Sequence, residues 1–237
     1  VLTTEQVDRA VEAGARFIVS PGLNPKVVRH CLERGVPITP GTSNASDIEV
    51  ALELGLDAVK FFPAEASGGL KAIKALAAPY VTMKFMPTGG INAKNLNEYL
   101  AFPKIIACGG SWMVDPALVA AGDFAAVTRL TDEAVQLMLG FEVAHVGVNA
   151  QNEEEGSALA GQFAALLGLA HKKGNSSNFA GSLVEVMKGG GRGKNGHIGI
   201  RTNSIPRACH YFSRRGYDLD DFSFKTDAKG NPVAVYL

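Results

Sequence analysis

Through the first 140 residues the chain alternates short, β-rich apolar runs with longer segments whose apolar residues recur every three or four positions. The runs are FIVSPG, PITPG, AVKFFPA, KFMPTGG and IIACGG, and their loop-forming residues Pro21, Pro40, Pro63, Pro87 and Gly109 fall 19, 23, 24 and 22 residues apart. That spacing is one strand plus one helix. The segments between carry helix punctuation: Ser46 ahead of DIEVALELG, Asn92 ahead of AKNLNEYL, and Gly14, Gly35 and Gly55 as stops. Strands that recur with a helix between them run parallel, and runs apolar on both faces belong in a sheet covered on both sides. The pattern predicts an α/β fold, a TIM-type (β/α) barrel of which five of the usual eight units are present.

At Gly140 the pattern changes. The sequence predicts one domain over 1–140 and a second over 142–237. The second reads as two similar halves: VAHVGVN, a helix across EEEGSALAGQFAALLG and SLVEVM; then NGHIGIRTN, a helix across IPRACHYFSRRG, FSFKTD and PVAVYL. Each half opens on a strand with a histidine near its start. The stretch KGGGRGKNG between them reads as a surface linker, because no strand-to-helix turn surrounds it as a phosphate loop requires.

Charge narrows the partners. Lys plus Arg and Asp plus Glu are 23 each, so no net field favours nucleic acid or a membrane surface, and a small molecule is the expected partner. The three cysteines Cys31, Cys108 and Cys209 form no CxxC pair, which argues against a disulfide framework or zinc ribbon and for reduced thiols in a cytoplasmic protein. No run reaches the roughly 18 apolar residues of a membrane span.

Against this background Lys60 is out of place, an ammonium in the run AVKFF. Ala58, Lys60 and Phe62 share one side of a strand, Val59 and Phe61 the other, and in a barrel both sides are dry. Burial favours the neutral amine, which attacks carbonyl carbon. Lys60 lies three residues before Pro63, near the strand end where barrel enzymes keep their chemistry. The other reading is a lysine reaching to solvent or paired with a carboxylate such as Glu65. Thr88-Gly89-Gly90 and Gly109-Gly110-Ser111 follow the last two runs, where glycines let backbone N–H groups approach an anion and a following helix N-terminus adds positive potential. As bland turn formers they would need no ligand.

Taken together, VKFFPAEASGGLKAIKAL, KFMPTGGI and IIACGGSWMV resemble the 2-dehydro-3-deoxy-6-phosphogluconate aldolase family, also called 4-hydroxy-2-oxoglutarate aldolase, over residues 1 to 138. The resemblance implies a class I aldolase with no cofactor. Lys60 would form the Schiff base, Phe62 would pack on the pyruvyl part, and Thr88 would meet the substrate hydroxyls. Gly89, Gly90, Gly109, Gly110 and Ser111 would hold the phosphate of a phosphorylated 2-keto sugar acid. It also implies a homotrimer. Family members open with three further strands carrying a general-base glutamate, a carboxylate-binding arginine and a threonine just ahead of a stretch like Val1-Leu2. The expectation is therefore a barrel lacking its first strands, with impaired turnover in this chain.

Residues 142–237 resemble the vicinal-oxygen-chelate or glyoxalase-like fold, an α+β arrangement of paired βαβββ modules. His145, Glu185 and His197 would occupy three metal-ligand positions, with the fourth near Ala234. Two histidines and a carboxylate can hold a divalent metal with an open position. They serve equally as polar groups of a site that binds without catalysis. The alternative for the whole chain is thus a noncatalytic small-ligand binding protein. A phosphate-binding barrel of the epimerase type would share the glycine turns without needing Lys60.

Overall fold

A computed structural model describes residues 1–237, apart from the side chains of residues 221 and 222. The chain divides into two compact units, Val1–Met138 and Leu139–Leu237.

The first unit builds strand and helix in alternation: α1 (Thr4–Glu12), β1 (Ile18–Val19), α2 (Pro25–Glu33), β2 (Ile38–Thr39), β3 (Gly41–Thr42), α3 (Ala45–Glu53), β4 (Ala58–Phe61), α4 (Gly69–Ala77), β5 (Lys84–Pro87), α5 (Leu96–Leu100), α6 (Pro116–Ala120) and α7 (Phe124–Leu139). All its strand pairs are parallel: β1 with β2, β3 with β4, and β4 with β5. The 38–42 run divides at Pro40, which has no N–H to continue a ladder. Its first half faces β1, its second faces β4, and the Pro40 carbonyl accepts from Lys60 N at 2.9 Å.

The fifth predicted strand, IIACGG, is reduced to two isolated bridges, Phe85 with Ile105 and Thr88 with Gly109. Proline is again the reason. Phe85 N donates to Lys104 O at 2.8 Å and Ile106 N to Phe85 O at 3.1 Å, but the next donor due on β5 is Pro87, which has none. Pairing resumes one residue late, with Gly109 N on Pro87 O at 2.9 Å.

The helix ends follow local chemistry. After α2, Gly35 N donates to Leu32 O at 3.0 Å and Val36 N to Cys31 O at 2.9 Å, with Gly35 at φ 67°. This is a Schellman end, and the same pair of bonds recurs at Gly14 and Gly55. The starts differ from expectation. Asn44, not Ser46, caps α3 by accepting from Asp47 N at 3.0 Å. Asn92 forms a turn of its own, accepting from Lys94 N at 2.9 Å, so α5 begins only at Leu96. At the end of α4, Lys104 Nζ donates to the carbonyls of Ala77, Tyr80 and Val81 at 2.9, 2.8 and 2.9 Å. The core joins Val7, Val27, Val28, Ile48 and Ile73 of the helices to Ile18, Val59, Phe61 and Phe85 of the strands. Each buried side chain of this kind contributes about 2 kcal/mol.

The second unit begins with β6 (Glu142–Asn149), α8 (Glu153–Leu167), β7 (His171–Lys173), β8 (Ser177–Ala180) and β9 (Val184–Met187). It continues with β10 (Gly196–Arg201), α9 (Ile205–Ser213), β11 (Asp220–Thr226) and β12 (Pro232–Tyr236). The first module is βαβββ. The second runs βαββ as far as residue 237, with a single hairpin in the 24 residues after Ser213. The main sheet has the order β10-β6-β9-β8-β7, while β11 and β12 form a sheet of their own. No helix of the described residues is long and apolar enough to cross a membrane.

Candidate active site

Lys60 is in β4, flanked by Val59 and Phe61, which are fully buried, and is itself 8 % exposed. Parallel pairing on both sides holds the strand, with Lys60 opposite Gly41 on one side and Met86 on the other. Thr42 Oγ1 donates to the Lys60 carbonyl at 3.1 Å. The Lys60 side chain turns to the same side as Phe62, and Nζ lies 4.2 Å from the centre of that ring. Burial lowers the amine from its ordinary value. Among the described residues Nζ makes no ion pair or hydrogen bond. The carboxylate partner weighed from the sequence is engaged elsewhere: Glu65 accepts from the Tyr99 hydroxyl.

The structure brings the first glycine turn to the lysine loop. Thr88 N donates to Phe61 O at 3.0 Å, Ala64 N to Thr88 O at 2.8 Å and Glu65 N to Gly89 O at 3.1 Å. Gly89 and Gly90 have φ 97° and 82°, a region that favours glycine. Gly109 lies beside Thr88, so that a Cβ on it would stand 2.5 Å from Thr88 Oγ1. A Cβ on Gly110 would overlap the Trp112 ring, and Ser111 is exposed. The expected helix N-termini are not at these turns. Helix α5 starts at Leu96 after the Asn92 turn, and α6, five residues long, starts at Pro116 behind the cap Asp115. Any anion here would meet main-chain amides rather than a helix end. Tyr99 and Thr42 were not singled out from the sequence. A tyrosine on the apolar side of NLNEYL, beside Leu96, was the available signal, since a buried phenol needs an acceptor.

In the second unit three donors converge. His145 Nε2 and His197 Nε2 lie 3.0 Å apart, and Glu185 Oε2 lies 3.4 Å from the first and 3.3 Å from the second. The sheet explains why. Gly147 on β6 stands opposite His197 on β10 and opposite Glu185 on β9, while Gly199 stands opposite His145. A Cβ at Gly147 would overlap the His197 imidazole, and one at Gly199 the His145 imidazole. Adjacent strands are about 4.8 Å apart, so His197 and Glu185 meet only by leaning over a residue without a side chain. The repeated His-x-Gly of AHVG and GHIG, paired antiparallel, supplies both gaps. Ser177 Oγ donates to Glu185 Oε1 at 2.6 Å, which turns Oε2 toward the histidines. Both histidines line a cavity of about 550 Å³, with Phe141, Cys209, Phe212 and Ala234 in its wall.

The lysine placement and the parallel strand order describe an α/β unit with a buried amine in a parallel strand. The family described as Aldolase: KDPG and KHG aldolase matches residues 1–130, and the chain belongs to that family. Among relatives, the 2-dehydro-3-deoxy-phosphogluconate aldolase of Treponema pallidum is 56 % identical over 138 residues, covering 58 % of this chain and 66 % of the relative. That of Haemophilus influenzae is 53 % identical over 138 residues, covering 58 % and 65 %. The chain thus spans just under two thirds of the length of these relatives. Among solved structures, the 2-keto-3-deoxy-6-phosphogluconate aldolase of Zymomonas mobilis with 3-phosphoglycerate is similar with TM-score 0.52 and 43 % identity, covering 56 % of this chain and 63 % of that one. The KDPG aldolase of Legionella pneumophila, with pyruvate captured as a covalent carbinolamine, gives TM-score 0.54 and 36 % identity, covering 56 % and 65 %.

Proposed function

We propose that Val1–Met138 carries the Schiff-base chemistry of a class I aldolase acting on 2-dehydro-3-deoxy-6-phosphogluconate, and on 4-hydroxy-2-oxoglutarate. The observation that carries this is Lys60: an amine buried in a parallel strand, beside an aromatic ring and without a carboxylate partner. The neutral amine adds to the C2 ketone and water leaves, giving an iminium. The C4 hydroxyl gives its proton to water as the C3–C4 bond breaks, its electron pair is drawn into the iminium to give an enamine, and C3 then takes a proton from water to restore the iminium. Glyceraldehyde 3-phosphate departs, and hydrolysis of the remaining imine releases pyruvate and the free amine. Phe62 packs on the pyruvyl group, Thr88 meets the substrate hydroxyls, and the turns at Gly89-Gly90 and Gly109-Gly110-Ser111 receive the phosphate. The protonated imine is the electrophile, so this chemistry needs no cofactor. Borohydride reduction in the presence of pyruvate, followed by peptide mapping, tests the reading. A reduced pyruvyl adduct on Lys60, absent from Lys60→Ala, is expected. No adduct on Lys60, or undiminished turnover by Lys60→Ala, rejects it in favour of a binding protein or a phosphate-binding barrel.

We further propose that residues 142–237 form a glyoxalase-like domain in which His145, Glu185 and His197 hold a divalent metal ion. Ligand atoms about 2.0–2.1 Å from a tetrahedral ion stand about 3.3 Å from one another, close to the separations of 3.0, 3.4 and 3.3 Å. Such an ion would supply Lewis-acid chemistry beside the cavity that His145 and His197 line, in whose wall Ala234 offers no further ligand. One equivalent of zinc or cobalt bound by the full chain and lost in His197→Ala supports this, and binding unchanged in His197→Ala rejects it.

A further inference from the structure

The loop after β4 carries a second polar contact that the Schiff-base chemistry does not use. Tyr99 of α5 is 1 % exposed, and its hydroxyl donates to Glu65, 34 residues earlier. A phenol at that depth needs an acceptor, and burial together with Glu65 raises Tyr99 from its ordinary value, so the proton stays on the tyrosine. Two glycines, one from each neighbouring segment, make room for the pair. A Cβ on Gly69 would stand 3.1 Å from both Glu65 Oε1 and the Tyr99 hydroxyl. A Cβ on Gly90 would stand 2.5 Å from Glu65 Cγ. Gly90 is therefore shaped as much by Glu65 as by any anion.

The Glu65 side chain thus lies across the Thr88–Gly90 turn while its own N–H is bonded to Gly89 O at 3.1 Å. Its anchor, Tyr99, belongs to the helix that follows that turn. The contact closes a ring: Lys60 and Phe62 lead along the chain to Glu65, Glu65 crosses to Tyr99, and α5 leads back to the turn.

We propose that Glu65 and Tyr99 are positioning residues that clasp the Thr88–Gly90 turn against the lysine loop and so set the distance between the imine carbon and the far anionic group of the substrate. This rests on the aldolase reading and adds to it a determinant of substrate length. The pair does not touch the reacting atoms. Its loss loosens the grip on a phosphorylated molecule and leaves addition of pyruvate to Lys60 intact.

The test uses the full chain and three variants: Tyr99→Phe, which keeps the ring in the core, Glu65→Ala, and Glu65→Gln, which retains an acceptor for the phenol. Pyruvate trapping at Lys60 is measured alone and in competition with 3-phosphoglycerate, and exchange of the backbone amides at positions 64 and 65 is followed. In Tyr99→Phe and Glu65→Ala, the 3-phosphoglycerate needed to block trapping rises about tenfold, the scale of one lost hydrogen bond to a charged group, and amide exchange quickens about as much. Trapping by pyruvate alone changes by less than about twofold, and Glu65→Gln stays near the unaltered chain. Equal losses in trapping and in 3-phosphoglycerate competition overturn the proposal, as does unchanged amide exchange in Tyr99→Phe. No trapping in the unaltered chain overturns the aldolase reading instead. The amide exchange then still decides whether the pair clasps the turn.

Discussion

The amine of Lys60 lies 4.2 Å from the centre of the Phe62 ring, two residues further along the chain and on the same side of it. An N–H directed at an aromatic face is held without a counter-charge. The lysine is thus kept in place by packing, and its protonation is set by burial rather than by an ion pair.

Because burial lowers Lys60, the unfolded chain holds that proton more tightly than the folded one. Stability should rise with pH between the lowered value and 10.5, and the full cost of the buried charge is present below that window. Lys60→Met should raise the unfolding free energy at pH 7 by about 1 kcal/mol and remove this rise. Tyr99 acts in the opposite sense: its raised value means that stability present below pH 10.0 is lost as the phenol ionises. Urea unfolding of the two chains from pH 7 to 10 isolates the lysine. Equal stability at every pH would refute the burial argument.

Competitive acetylation reads the same amine directly. Half-maximal labelling of Lys60 is expected below pH 10.5, and the imine-forming rate with pyruvate should follow the same curve.

Lys104 is expected to matter for stability alone. Its amine satisfies three carbonyls at the end of α4. Lys104→Met should cost about 2 kcal/mol, measured by urea unfolding, with pyruvate trapping at Lys60 unchanged in the folded state.

Gly147 and Gly199 are the positions on which the three-donor cluster depends. Gly147→Ala or Gly199→Ala should weaken zinc binding by about tenfold or more, because a new methyl group displaces the facing imidazole. The five-stranded sheet should persist in the circular dichroism spectrum. Unchanged zinc titration would contradict the geometry.

Much of the first unit could be read along the chain because its signals are local. The Schellman ends at Gly14, Gly35 and Gly55, the apolar strand runs and the isolated Lys60 each reflect neighbours within a few residues. The losses were also local but combined two rules. Pro87 ends a strand run well and at the same time deprives the next run of a partner, so IIACGG reads as a strand and forms only bridges. Asn92 offers a cap, yet its side chain closes a turn first and α5 begins four residues later.

The sequence by itself determined the alternation of strands and helices, the buried amine and the pair of strands that each open with a histidine, because periodicity, turn chemistry and hydrophobicity act over a single turn or strand. Only tertiary structure decided that Glu65 answers Tyr99 rather than Lys60, and that Gly147 separates His197 from Glu185. Those pairings join residues 34 positions apart in one case and three strands of a sheet in the other. They follow from register and from which side chain is absent, and no local pattern encodes either.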